Sequence, residues 1–375
     1  MLSNGSFRGT FATIDLAALA RNFGRLARTV APARVLAVVK ADGYGHGATP
    51  VARALVAAGA WGLGVTTVEE AIALRDAGLR GPLLVLGGTF EGAYRDALEA
   101  DLTPVVGRPE DARAFAEAAR ALGRRAALHV KVDTGMSRLG ARPEDLDTLL
   151  EACDAPELEL AGLMTHLATA DAAELADAEA QMRRFDECLA AVRAAGKAPA
   201  TIHAANTAAA LRIPSARRDL VRLGIGLYGA RPSSSVPDIG LEPVLAVTTR
   251  VVALRRIARG DAVGYGSRWR AQRPSTIATL PVGYGDGYLR RLWGRAEVLV
   301  GGRRAPVVGA ISMDLTMIDV TDIPVAHGDE VVLVGAQGGE KITVEELAAW
   351  GETIPYEILC GLARRVPRQY REGAA

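Results

Sequence analysis

The sequence has little cysteine and no long hydrophobic run, and both absences exclude classes of protein. Its three cysteines, Cys153, Cys188 and Cys360, are far apart and form no C-x-x-C pair, so we expect neither a disulfide scaffold nor a metal site. Reduced thiols are typical of a cytoplasmic protein. No apolar stretch is long enough to span a bilayer, and the N-terminal residues M-L-S-N-G-S-F-R-G-T-F lack the apolar region of a signal peptide. We therefore expect a cytoplasmic protein without a membrane segment or a leader.

An excess of charge of one sign is also absent. Lysine and arginine together number 44, aspartate and glutamate 43, and the net charge is +1. The charges are scattered along the chain, so nothing in them indicates nucleic acid or an anionic membrane as a partner. Hydrophobic residues make up 49% and charged residues 23% of the 375 residues, which is the composition of an ordinary globular protein. The length suggests two domains.

Short apolar strands alternate with amphipathic helices over roughly the first 230 residues. The first helix is expected directly after Asp15, an N-cap residue. Eight strands are predicted, beginning with the one at Val35 and continuing at Trp61–Val65, Leu83–Leu86, Thr103–Val106, Ala127–Val132, Leu158–Met164, Thr201–His203 and Leu220–Leu223. This alternation predicts parallel pairing, and eight units predict a (β/α)8, or TIM, barrel. A doubly wound open sheet is the alternative, and the absence of G-x-G-x-x-G after the first strand disfavours it.

The pattern changes after Arg231. The segment R-P-S-S-S-V-P-D-I-G has the composition of a linker, and the helical periodicity stops beyond it. Short runs rich in β-branched residues follow, at Val244–Val252, Thr276–Leu280, Glu297–Leu299, Arg304–Val308, Leu315–Val320 and Glu330–Val334. One short helix is predicted near Val344–Trp350, and the C-terminus is expected to be partly helical. We therefore predict a barrel domain over residues 1–235 and a mainly-β domain over residues 236–375.

One stretch, V-L-A-V-V-K-A-D-G-Y-G-H-G from Val35 to Gly47, joins a buried strand to a glycine-rich loop. Lys40 ends the apolar run. Burial at that position would lower the pKa of its amine and allow attack on a carbonyl, as in a Schiff-base lysine. The alternative is a strand-end lysine that extends its amine to water, and these residues alone leave both interpretations open.

Chemistry in a barrel of this kind lies just after the strand ends, and the candidate residues occur there. They are Lys40, Asp133, Arg138, His166, Asn206, Thr207, Arg222 and Gly224. The loops after strands seven and eight carry Asn206-Thr207 and Gly224-Ile225-Gly226, where backbone N–H groups can approach a phosphate. Together with a Schiff-base lysine, a phosphate site indicates a phosphorylated aldehyde, and pyridoxal 5′-phosphate is the obvious one.

The first of these motifs, V-V-K-A-D-G-Y-G-H-G, resembles the cofactor-lysine motif of the alanine racemases. The resemblance extends over essentially the whole chain through V-K-V-D-T-G-M-S-R-L-G, L-M-T-H-L-A-T-A-D, H-A-A-N-T-A-A, R-L-G-I-G-L-Y-G, V-G-Y-G-S-R-W, V-G-Y-G-D-G-Y, S-M-D and P-Y-E-I-L. It implies a pyridoxal-phosphate barrel, a β domain and a head-to-tail homodimer with two composite active sites. Thr207, Ser312 and Ser137 depart from the most familiar residues of these motifs, and none of the three has a role in proton transfer.

Carried over by position, the resemblance implies a role for each site residue. Lys40 would hold the cofactor and act as one base, and Tyr265 would act as the second base from the other subunit. Arg222, supported by His166, would face the pyridine nitrogen. The remaining expected residues are Tyr44, Asn206, Thr207, Gly224, Ile225 and Tyr356 around the cofactor, Arg138 and Met313 near the substrate carboxylate, Tyr284 at the entrance, and Lys131, whose counterpart is carbamylated in some members.

The expected activity is interconversion of L-alanine and D-alanine, supplying D-alanine for peptidoglycan, although a role in alanine breakdown stays open. Within enzymes, the main alternative is a broader racemase acting on serine or basic amino acids. A decarboxylase on the same two-domain plan is less favoured, because it would not need V-G-Y-G-S together with this lysine motif. A non-catalytic pyridoxal-phosphate-binding protein would resemble a lone barrel, so the β domain and Tyr265 argue against it.

Overall fold

The computed structural model describes residues 7–90 and 92–372. Two earlier expectations involve residues outside these ranges. They are the outer limits of the two expected domains and the absence of a leader, which depends in part on the first six residues. Among the described helices, none is long and apolar enough to cross a membrane.

Eight parallel strands form a nearly closed barrel, as the alternating pattern predicts. The strands are Arg34–Val38, Gly62–Val65, Leu83–Val85, Thr103–Val106, Ala126–Lys131, Leu158–Met164, Thr201–His203 and Leu220–Leu223. Each pairs with the next along the chain as far as the seventh, and the eighth pairs with the first. Between the last two strands, the backbone N–H of Asp219 donates to the carbonyl of Ile202 at 3.0 Å and the N–H of Arg222 to that of Ala205 at 2.9 Å. The prediction of a (β/α)8 barrel is confirmed.

Helices cover the outside of the barrel. They are Leu16–Val30, Ala48–Ala57, Val68–Asp76, Tyr94–Glu99, Pro109–Ala121, Leu146–Ala152, Ala176–Ala194 and Thr207–Arg212. The predicted N-cap at Asp15 is present, and its carboxylate accepts a 2.7 Å hydrogen bond from the N–H of Ala18. Thr67 and Glu70 form a capping box at the start of Val68–Asp76. These caps fix where the helices begin, directly after strands or their loops.

The second domain is built on a ten-stranded sheet within the described residues. Its strands are Phe11–Asp15, Leu245–Arg250, Ala253–Ile257, Ser275–Leu280, Glu297–Val300, Arg303–Val308, Thr316–Asp319, Glu330–Gln337, Glu340–Ile342 and Arg368–Arg371. A separate two-stranded ribbon joins Ala262–Val263 to Trp269–Arg270. The helices Val344–Trp350 and Pro355–Cys360 complete the domain. The mainly-β character predicted after the linker is confirmed.

Four strands of this sheet were missed by the sequence pattern. Two of them, Ala253–Ile257 and Glu340–Ile342, lie inside the second domain, and the other two lie near the two ends of the chain. Phe11–Asp15 pairs antiparallel with Leu245–Arg250 and parallel with Arg368–Arg371. The first is a five-residue strand that runs directly into a helix, and the second follows a helix in a segment expected to be partly helical. Within the described residues, the chain therefore runs from the second sheet into the barrel and back to that sheet, while the division at residue 235 stays a prediction.

Candidate active site

A cavity of about 340 Å³ lies at the carboxyl ends of the barrel strands. Most of the residues singled out from the sequence line it, namely Lys40, Tyr44, Lys131, Arg138, His166, Asn206, Thr207, Arg222, Gly224, Ile225 and Tyr356. The last of these comes from the second domain. The structure therefore brings together side chains that are more than 300 positions apart in the chain. Phe90 and Leu139, which the sequence did not single out, add apolar surface at the exposed side of the cavity.

Lys40 begins a tight left-handed turn directly after the first barrel strand. Burial lowers the pKa of its amine, and the positive charge of Arg138 lowers it further. The carboxylate of Glu70 accepts a 2.7 Å hydrogen bond from the N–H of Ala41, the next residue. The lysine is thus held at the cavity with a larger fraction of neutral amine than a lysine in water would have.

Arg222 is 3% exposed and lies on the eighth strand. Its Nη2 donates at 2.8 Å to the carbonyls of Thr165 and Ala204, and it lies 3.1 Å from Nδ1 of His166. Burial lowers the pKa of the guanidinium to about 9, which is still above neutrality. A buried, hydrogen-bonded positive charge therefore occupies the floor of the cavity.

Two further histidines extend this network, and the sequence did not identify either. Nη1 of Arg222 lies 3.2 Å from Nδ1 of His203, and Nε2 of His203 lies 2.8 Å from Nδ1 of His129. Burial lowers the pKa of both imidazoles, to about 4 for His129, and the charge of Arg222 adds to the effect in each. Both lie on barrel strands, in A-L-H-V and T-I-H. In the structure both side chains point into the barrel beside Arg222. The signal in the sequence that could have identified them was a polar residue within an apolar strand.

The loops after strands seven and eight meet at the same cavity. The hydroxyl of Thr207 accepts a 3.0 Å hydrogen bond from the N–H of Gly224, and Asn206 caps the helix that follows it. A Cβ at position 224 would collide with the Tyr44 hydroxyl, so only glycine permits this approach of backbone to ring. The ring of Tyr356 lies 6.1 Å from that of Tyr44.

The cations Lys40, Lys131, Arg138 and Arg222 line the cavity, and its described lining includes no carboxylate. Lys131 is 6% exposed, and burial, together with the charges of Arg222 and Arg138, lowers its pKa to about 8. The nearby carboxylate of Asp133 is turned to the backbone instead, accepting from the N–H groups of Gly135, Met136 and Arg138. This donor set fits an anionic ligand, such as one that carries a phosphate and a carboxylate.

Three predicted residues lie elsewhere. Tyr265, Met313 and Tyr284 are on the second domain, and none of them lines the cavity that contains Lys40. Their side chains are 74%, 53% and 42% exposed, respectively. Such exposure is unusual for large apolar and aromatic side chains that lie near one another, and it is typical of an interaction surface. Their action from a second subunit stays a prediction.

Comparison with known proteins identifies relatives over nearly the whole chain. The family model for the alanine racemase N-terminal domain matches residues 14–232, and the model for the alanine racemase C-terminal domain matches residues 244–370. An alanine racemase of Sorangium cellulosum is 47% identical, over 97% of this chain and 100% of the relative. The structure is similar to that of alanine racemase from Bacillus anthracis with bound L-Ala-P, with a TM-score of 0.91, 36% identity and coverage of 98% and 96% of the two chains. It is also similar to alanine racemase from Bartonella henselae with covalently bound pyridoxal phosphate, with a TM-score of 0.87, 31% identity and coverage of 97% and 99%.

Proposed function

The chain belongs to the alanine racemase family of isomerases, and on that basis we propose that it interconverts L-alanine and D-alanine by a two-base mechanism with pyridoxal 5′-phosphate as cofactor. One observation carries the proposal. The amine of Lys40, the guanidinium of Arg222 and the Thr207–Gly224 contact surround a single cavity.

The cavity suits this cofactor in charge and in the position of its donors. Lys40 would hold it through the ε-amine, and Arg222 would face the ring nitrogen, with His166 beside the guanidinium. The phosphate would be held by residues from the loops and the second domain that line the same cavity, namely Tyr44, Asn206, Thr207, Gly224, Ile225 and Tyr356. When bound, pyridoxal phosphate would withdraw electrons from the α-carbon of the substrate and so acidify its C–H bond.

Racemisation removes a proton from one face of the α-carbon and returns one to the other face, so a base is needed on each side. Lys40 suits one face, since burial and Arg138 favour its neutral amine. We assign it the proton of D-alanine. Tyr265 of a second copy would take the proton of L-alanine, and its exposure leaves it available to another subunit. Arg138, with Met313 of the second copy, would hold the substrate carboxylate, and Tyr284 would line the entrance.

Arg222 gives the reaction its selectivity in this proposal. A guanidinium donates hydrogen bonds and keeps its own protons at neutral pH, so it does not protonate the ring nitrogen that it faces. The carbanionic charge is then less delocalised into the ring than it would be beside a carboxylic acid. Transamination and other side reactions of the carbanion should be suppressed.

Lys131 is proposed to support Arg138. With a pKa of about 8, a substantial fraction of its amine is neutral at mildly alkaline pH. A neutral amine can add carbon dioxide to form a carbamate and release one proton to solvent, which would change this lysine from a like charge beside Arg138 into an opposite one. Mass spectrometry under bicarbonate would detect the added mass.

The proposed setting is a cytoplasmic homodimer that supplies D-alanine for peptidoglycan. Exposure of Tyr265, Met313 and Tyr284 supports the dimer, since each active site would otherwise lack its second base. The biosynthetic role would be supported if a bacterium that makes this protein needs added D-alanine for growth after deletion of the gene. Growth without D-alanine would argue against it.

The experiment that tests the activity is a chiral assay. Purified protein supplied with pyridoxal phosphate should convert L-alanine or D-alanine into the same equal mixture of both. Serine, lysine and arginine tested in parallel address the broader racemase, and a high rate on any of them would favour that alternative. Binding of the cofactor without conversion of any amino acid would reject the racemase.

A further inference from the structure

The turn that carries Lys40 has a backbone conformation that L-residues rarely adopt. Five consecutive residues have positive φ, with 51° at Ala41, 54° at Asp42, 62° at Gly43, 53° at Tyr44 and 78° at Gly45. Three of them bear a Cβ, for which the left-handed region is sterically unfavourable. Such a segment persists only where surrounding contacts over-determine it. The position of the Lys40 amine therefore depends on what holds the turn.

Part of the support is local. The carboxylate of Asp42 accepts a 2.8 Å hydrogen bond from the N–H of Ala48, which closes the turn onto the next helix. Nδ1 of His46 lies 2.8 Å from the carbonyl of Tyr44 and 3.1 Å from that of Gly43. Since both neighbours are acceptors, Nδ1 carries the proton and donates to them. These contacts come from the motif itself.

The remaining support comes from the other end of the chain. Arg368, on the last strand of the second domain, donates from Nε at 3.1 Å and from Nη2 at 3.0 Å to the carbonyl of Gly45. Nη1 donates to the carbonyls of Ala363 and Val366 at 2.6 and 2.7 Å, and Nη2 also to that of Leu362 at 2.7 Å. All five N–H groups of the guanidinium are thus used on backbone carbonyls.

Tyr370, two residues further along the same strand, makes a second contact. Its hydroxyl donates to the carbonyl of His46 at 3.1 Å. Gly47 has a φ of 94°, and a Cβ there would collide with this hydroxyl. The strand Arg368–Arg371 therefore lies directly against the Lys40 loop while it pairs with Phe11–Asp15.

We propose that Arg368 is a positioning residue for Lys40. By fixing the carbonyl of Gly45 at the end of the left-handed turn, Arg368 holds the Lys40 side chain in its position. This role rests on the racemase proposed above. It makes the placement of the cofactor lysine in the barrel depend on the last strand of the second domain. Lysine can replace arginine here only in part, because an ammonium has three donors and no planar fork that could span Gly45 and the 362–366 segment.

If Arg368 had a purely structural role, it would only hold the C-terminal strand in place. The experiment therefore needs, as a control, an arginine whose role is only structural. Arg75 provides it. Within the described part of the chain its guanidinium also donates only to backbone carbonyls, those of Ala100, Leu79, Gly81 and Asp101 at 2.8–3.1 Å, and makes no hydrogen bond to the Lys40 turn. Burial lowers the pKa of both arginines, which indicates similar environments.

The first readout is hydrogen exchange of a peptide covering residues 41–47 in the cofactor-free protein. In Arg368→Met, its amides should exchange about tenfold or more faster than in the wild type, whereas Arg75→Met should leave them within about twofold. Arg368→Lys should be intermediate. Tyr370→Phe is a milder change and should accelerate exchange of the same amides by about threefold. If Arg368→Met does not fold, Tyr370→Phe and Arg368→Lys still allow the test. Equal exchange in the wild type and all variants, or equal acceleration in Arg75→Met, would overturn the proposal.

The second readout is alanine turnover by the holoenzyme. Misplacement of Lys40 should lower kcat by about tenfold or more in Arg368→Met while KM for alanine changes by less than about threefold, and Arg368→Lys should recover part of kcat. Unchanged kcat in a folded Arg368→Met enzyme would contradict the proposal. If the wild type does not racemise alanine, the function proposed above fails, while the exchange of residues 41–47 still decides whether Arg368 holds the turn.

Discussion

Arg222 and His203 are joined in a way that fixes the protonation of a buried network. Nη1 of Arg222 lies 3.2 Å from Nδ1 of His203. A guanidinium only donates, so Nδ1 of His203 accepts, and the proton of this neutral imidazole is on Nε2, from which it is donated to Nδ1 of His129 at 2.8 Å. The network therefore has one permanent positive charge, on Arg222, and neutral imidazoles behind it.

This charge leads to a prediction about selectivity. Arg222→Glu should lower racemisation by about a hundredfold or more and raise transamination, because a carboxyl group can share a proton with the ring nitrogen. Pyruvate formed from alanine, measured with the loss of visible cofactor absorbance, checks the prediction. His166→Gln is the matched control, since it changes a neighbour of the guanidinium and keeps the charge. Racemisation lost without any gain in pyruvate would contradict the assigned role.

Burial of the same histidines predicts a loss of stability in acid. The folded pKa of His129 is about 4, below its value of about 6.5 in an unfolded chain, so the unfolded state binds the extra proton first. The free energy of unfolding should therefore fall as the pH drops from about 6.5 to 4, by up to about 3 kcal/mol from this residue. Urea titrations at several pH values measure it.

The control for that experiment is His327→Gln, at an exposed position. His129→Gln should flatten the dependence of unfolding free energy on pH between 6.5 and 4, and His327→Gln should leave it as in the wild type. Equal slopes in the wild type and His129→Gln would show that the buried imidazole does not drive the acid sensitivity.

Lys40→Ala should abolish the visible absorbance of covalently held cofactor and lower racemisation by at least about a thousandfold. The reason is that, among the described amines of the cavity, only that of Lys40 follows the first strand, where the turn fixes the direction of the side chain. Lys341→Ala, at an exposed lysine, is the control and should keep both properties. A Lys40→Ala protein that keeps its absorbance and its activity would reject the assignment.

Tyr265→Ala should impair proton removal from L-alanine far more than from D-alanine, because in the proposed mechanism each base serves one face of the substrate. Exchange of the α-hydrogen with deuterated solvent, followed separately for the two enantiomers, measures the difference. Tyr265→Phe should behave like Tyr265→Ala, since only the hydroxyl transfers a proton. Equal losses for both enantiomers would argue against two bases.

Much of the fold was predictable because barrel strands buried on both faces read as short apolar runs between helices. The strand Leu158–Met164 and the helix Val344–Trp350 have the predicted bounds. Phe11–Asp15 was missed, because a five-residue strand whose partners lie more than 200 positions away leaves little local pattern. Pairing of this kind is decided by tertiary packing.

Most residues that line the cavity could be named from the sequence, whereas the residues that hold them in place could not, and the roles of all of them stay predictions. Lys40 and Arg222 stand at strand ends, where a barrel concentrates chemistry, and the motif resemblance supplied their roles. His129 lies within its strand and His203 is the last residue of a three-residue strand, and the sequence interpretation passed over both. Arg368 could not be found from the sequence, since its contact with Gly45 spans 323 positions and uses a backbone carbonyl. Nothing in either residue type indicates that contact.

The proposed active site is shared between two copies of the chain, with Lys40 from one and Tyr265 from the other. Mixing the inactive Lys40→Ala and Tyr265→Ala proteins, with exchange of subunits, tests it most directly. Half of a random mixture would be mixed dimers, each with one intact site, so about a quarter of wild-type activity should return. If activity stays at the level of the separate variants although mixed dimers are detected, the two bases do not come from different subunits.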